Sequence, residues 1–141
     1  MSTRSRLSLL VVVAHWVVAI SHLFFAANVL PGPDNKVSLM AVVLITLGHV
    51  IVSIALWSLG EKAGGWVLVA FFLAASAADL YEHFLHTSPN NIFMVERGGW
   101  TVWFDVTVFI LLALEILGCV LGILSLNGTK KGGPASRASR V

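Results

Sequence analysis

The chain has 141 residues, of which 57% are hydrophobic and only 11% charged, and its mean hydropathy is +0.90. Soluble domains carry about 25% charged residues, so the composition excludes an ordinary soluble fold and points to an integral membrane protein of one domain, its length taken up by spanning segments. A net charge of +2 is no nucleic-acid signature here, because the basic residues gather at the chain ends and in connections, where they act as topology signals; a single cysteine, Cys119, excludes an internal disulfide and a thiolate metal site.

Residues 1–6 are polar and basic, with Arg4 and Arg6, and read as a cytoplasmic N-terminus. The apolar run from about 7 to 30 is long enough to cross a hydrocarbon core, which needs ~20 residues, and it contains His15 and His22; it reads as a first span and not as a cleaved signal. Pro31-Gly-Pro-Asp-Asn35 predicts a tight turn. A second span over about 37–59 carries Thr46, His49 and Ser53, and Gly60-Glu61-Lys62 predicts the next turn. A third span over about 64–86 has Ala70, Ala74 and Ala78 at four-residue spacing, which predicts a small packing face.

Residues 87–99 form the longest connection, broken by proline, asparagine and glycine. The fourth span, about 100–126, contains Gly118-x-x-x-Gly122, a small-xxx-small contact with another span or another subunit, and Glu115. The tail 127–141 reads as a disordered cytoplasmic segment. Short connections favour an all-α, up-down-up-down antiparallel bundle. Arg4, Arg6, Lys62, Lys130, Lys131, Arg137 and Arg140 fall on one side, against Lys36 and Arg97 on the other. The positive-inside rule therefore puts both termini in the cytoplasm, with the plasma (inner) membrane as the expected location. Trp57 and Trp66 on the inner side, and Trp100 and Trp103 on the outer side, suit interfacial aromatic belts. A shift of 56 residues lays Pro33-Asp-Asn35 on Pro89-Asn-Asn91 and His49 on Asp105, a faint sign of two duplicated hairpins.

The stretch Asp79-Leu-Tyr-Glu-His-Phe-Leu-His86 places Asp79, Glu82, His83 and His86 at i, i+3, i+4 and i+7, one face of a helix. Ionisable groups in a span are costly and by default mark function. Helix depth brings His22 and Asp105 toward the same outer-half compartment, so the candidate metal set is Asp79, Glu82, His83, His86, His22 and Asp105. Imidazole with carboxylate suits Cu, Zn or Fe. The Asp79-x3-His83 spacing also resembles the Asp-x3-His ligands in the C subunit of copper membrane monooxygenases, over five residues only, which implies no more than that such a pair can ligate a metal. His49, His15 and Glu115 form a second candidate set, a proton relay in which His15 and Glu115 lie at similar depth. Haem held between His49 and His22 or His15 is a further, lesser candidate.

Three functions fit these residues. The first is a small membrane protein that holds a metal or cofactor, as a subunit or accessory of a larger redox complex. The second is a proton-coupled small transporter, working with other membrane subunits or as a homo-oligomer in the lipid bilayer. The third is a purely structural subunit, its polar groups tying the helices together. No phosphate loop, nucleophile elbow or HExxH motif is present, and no nucleic-acid signature.

Overall fold

The structure, a computed structural model, describes residues 2–29 and 39–127. It contains helices α1 (Thr3–Val29), α2 (Leu39–Ser58), α3 (Glu61–Leu80) and α4 (Thr101–Asn127), and α3 runs on directly into a π-helical turn, Tyr81–Leu85. All four helices are long and apolar enough to cross a membrane. The Pro31–Asn35 turn, Lys36 and the tail 128–141 lie outside the described residues.

Two boundaries differ from those expected of the sequence. The basic start is helical from Thr3, and Glu61 and Lys62 lie inside α3, so the second turn shrinks to Leu59 and Gly60. Glu61 in a first helical turn complements the helix dipole, which favours this early start. Polar side chains within the helices return their hydrogens to the carbonyl four residues back: Ser21 to Val17 at 2.8 Å, Ser53 to His49 at 2.7 Å, Ser125 to Leu121 at 2.9 Å.

The helices meet along their lengths. The Arg4 guanidinium donates to the carbonyl of Leu124, and further along α1 the Trp16 indole donates to Thr46 of α2 at 3.1 Å. One half of the bundle, around the ends that hold Thr3 and Asn127, is sealed by an apolar cluster of Val11, Val12, Val52, Leu56, Leu68, Phe72 and Leu121. Here α3 and α4 touch backbone to backbone. A Cβ on Gly65 would stand 3.0 Å from the carbonyl of Gly122, one on Gly122 would stand 2.9 Å from that of Gly65, and one on Gly118 would overlap the Phe72 ring. The small-residue pair on α4 is thus spent inside the chain. Ala70, Ala74 and Ala78, expected to form the packing face of α3, are exposed instead, because the glycines of the α3–α4 contact allow the closer approach.

The other half is capped by the connection 87–100. Its Ile92 and Val95 are buried against Phe104 and Val108, with Phe25, Ala26 and Phe84 around them. Asn91 pins this loop: its amide donates to the carbonyl of His86 at 3.0 Å, its Oδ1 accepts from the Phe93 N–H, and its own carbonyl accepts from Met94 and Val95. Outside, the surface is apolar, with Leu10, Leu39, Ile54, Trp57, Trp66, Trp103 and Ile116 all exposed. Inside, Ser8, His15, His22, His49, His83, Thr107, Glu115 and Ser125 are buried. Such an apolar exterior around a polar interior reverses the arrangement of a soluble domain.

Candidate functional site

Between the apolar cluster and the loop lies a cavity of about 380 Å³. Four of the five histidines, His15, His22, His49 and His83, line it together with Asp79, Glu82 and Glu115. Each helix contributes. α1 has buried positions at Ser8, Val11, Val12, His15, Ala19 and His22, a single stripe at helical spacing that carries both its histidines inward. α4 presents Thr107, Leu111 and Glu115 in the same manner.

Deep in the cavity four ionisable side chains from four helices meet. His49 of α2 places its Nδ1 2.6 Å from the carbonyl of Ile45, and its Nε2 2.8 Å from Nδ1 of His15. The two rings stack with centroids 5.0 Å apart. His15 Nε2 is 3.3 Å from Glu115 Oε1. Asp79 of α3 lies within electrostatic reach of Glu115, whose second oxygen is buried without a hydrogen bond of ordinary geometry.

Donor counting fixes the protons of this chain. The Ile45 carbonyl can only accept, so His49 Nδ1 carries a hydrogen. One more hydrogen fills the His49–His15 bond and a third fills the His15–Glu115 bond. Three states satisfy this count: a neutral pair of imidazoles with a protonated Glu115, a charged His15 beside a carboxylate, or a charged His49 with the carboxylate two links away. Each step along this series moves one proton across one hydrogen bond, and each state is electrically neutral as a whole.

Nearer the loop, His22 and His83 adjoin, ring centroids 4.9 Å apart and planes at 80°. His22 Nδ1 is 2.9 Å from Thr107 Oγ1, and His83 Nδ1 is 2.9 Å from the carbonyl of Asn90.

The residues expected in one stripe separate at the π turn. Asp79, Glu82 and His83 line the cavity, but His86 does not. The π turn has more residues per turn than an α-helix, which shifts the phase of the residues beyond it, and His86 leaves the helix with extended backbone, φ −76° and ψ 131°. His86 is exposed, stacked on Tyr81 with ring planes 9° apart and 3.5 Å from Glu82. Asp105 also stands apart, bound to the Arg97 guanidinium at 2.6 Å. Among the described residues no three His, Cys, Asp or Glu side chains are grouped as a metal centre. His15 and His49 are bonded directly to each other, which is not the arrangement of two ligands on opposite faces of a haem. His49 is buried in the bundle and Asp105 sits at its rim, so the two positions related by the 56-residue shift occupy unlike places.

Thr107, Asn90 and Phe72 are site residues that the sequence alone does not single out. A threonine hydroxyl inside an apolar span is the available signal for the first; nothing in one sequence marks a loop carbonyl as a histidine's partner. The chain matches no family model, no curated protein and no solved structure.

Proposed function

We propose that this chain is an integral protein of the plasma (inner) membrane, four spans up-down-up-down with cytoplasmic termini, and that it works as a proton-coupled carrier. The apolar exterior and the Lys and Arg distribution support the topology. The observation that carries the function is the hydrogen-bonded chain His49–His15–Glu115, which three proton arrangements satisfy.

Chains of Asp, Glu and His inside membranes commonly carry protons. This one opens toward the cavity through Asp79 and Glu82 and stops, on the other side, at Phe72, Leu68 and Val12, all without exposed surface. An open channel needs a continuous path; a polar site reached from one side and sealed on the other suits a carrier that alternates its access. A structural role leaves unexplained why three ionisable groups are wired so that the chain is satisfied in three proton arrangements.

The test is infrared difference spectroscopy of the protein in lipid vesicles, stepped between acid and alkaline pH. A carboxyl C=O band from a buried acid should appear in the wild type, vanish in Glu115→Gln, and move in His49→Gln, which touches the carboxyl only through His15. A wild type with no buried-carboxyl change, or a band untouched by Glu115→Gln, overturns the reading.

A further inference from the structure

We propose that His22 and His83, with Glu82, bind a divalent transition-metal cation. Only its role as cargo rests on the carrier reading; the binding stands without it.

Thr107 Oγ1 lies 2.8 Å from the carbonyl of Phe104 and 3.0 Å from that of Trp103, so its one hydrogen is directed to backbone and its oxygen faces His22 as an acceptor. His22 Nδ1 therefore donates. His83 Nδ1 donates as well, because its partner is the carbonyl of Asn90. In its neutral form each imidazole is thereby held in the tautomer that leaves Nε2 with a free lone pair, and neither Nε2 has a hydrogen-bond partner among the described residues.

Here two adjoining rings spend their hydrogens on outer oxygens and keep two acceptor nitrogens on one cavity. Metal-ligating histidines are held this way, the distal N–H given to a carbonyl or another fixed acceptor.

Glu82 lines the same cavity and supplies the third donor. It is bonded only loosely, 3.5 Å from His86 and half exposed, so it is free to turn inward. Among the described residues no three groups are yet gathered as a centre, and this rotation completes the set. The π turn assists: more residues per turn means a smaller angle between neighbours, which lets Glu82 and His83 face one way. Two imidazoles and one carboxylate, with water in an open position, suit Zn, Cu or Fe and not Mg or Ca, which take oxygen donors.

Tag-free protein in mild detergent is titrated with Co2+ and its visible absorption followed, with Mg2+ in excess throughout and Zn2+ as competitor. Saturable Co2+ bands that Zn2+ displaces are expected. His22→Gln and His83→Gln should each weaken binding at least tenfold, and Thr107→Val, which keeps the shape but cannot orient His22, about 10-fold to 100-fold. Glu115→Gln should bind Co2+ like the wild type. Loss of its infrared band with Co2+ binding intact is thus independent of this site. Absence of saturable bands in the wild type, or bands unchanged in both histidine variants, overturns the proposal.

Discussion

The two halves of this bundle are built from the same four helices and solve opposite problems. In the half near the termini, glycines at 65, 118 and 122 let α3 and α4 close onto Phe72 and Leu68, and no acidic or basic side chain belongs to that apolar cluster. In the loop half, imidazoles and carboxylates occupy the same interior positions and the helices line an open cavity. The difference teaches that side-chain size at a few inward positions decides whether a helical interior is a seal or a site.

That comparison breaks most severely at Gly118. Gly118→Leu must displace the Phe72 ring or part α3 from α4, and overpacking of this kind costs well above ~3 kcal/mol here. The expected result is protein that no longer runs as a single species in detergent. Phe72→Ala attacks the seal without blocking the helices: removing a fully buried ring costs about 3–5 kcal/mol. Because Phe72 packs edge-on against His15, 5.2 Å between centroids, the variant should also admit water to the relay. Vesicles carrying it and an entrapped pH dye should leak protons where wild-type vesicles stay tight; equal tightness would show that the seal lies elsewhere.

On the loop side the effects are smaller. Asn91→Ala removes two side-chain hydrogen bonds that shape the connection, a loss of about 1–3 kcal/mol, seen as faster amide exchange over 87–99 with the helices unchanged. Smallest is Arg97→Gln. Its guanidinium is mostly exposed, so the bond to Asp105 contributes ~0–1 kcal/mol, and the variant's melting temperature should match the wild type at high salt.

Hydropathy alone locates the four helices, since an apolar run of that length with so few charges has few alternatives. Depth counting brings His15 level with Glu115, and the structure places them 3.3 Å apart. What escapes a single sequence is rotation. That His15 reaches both His49 of α2 and Glu115 of α4 depends on the phase of each helix about its axis, which depth counting does not supply. The stripe Asp79, Glu82, His83, His86 assumes α-helical phase throughout; the π turn at Tyr81–Leu85 breaks that assumption for His86 alone. Asp105 is drawn off by Arg97, eight residues away along the chain but adjacent in space. Ala70, Ala74 and Ala78 mislead because small residues permit close contact without requiring it.

The bond from His83 Nδ1 to the Asn90 carbonyl ties a surface connection to an interior ring. Anything that lifts the loop, an antibody or a cut peptide bond, also releases that imidazole to exchange one tautomer for the other. By thermodynamic reciprocity, a ligand that favours one tautomer must tighten the loop by the same free energy, so events in the interior are readable from outside the bundle.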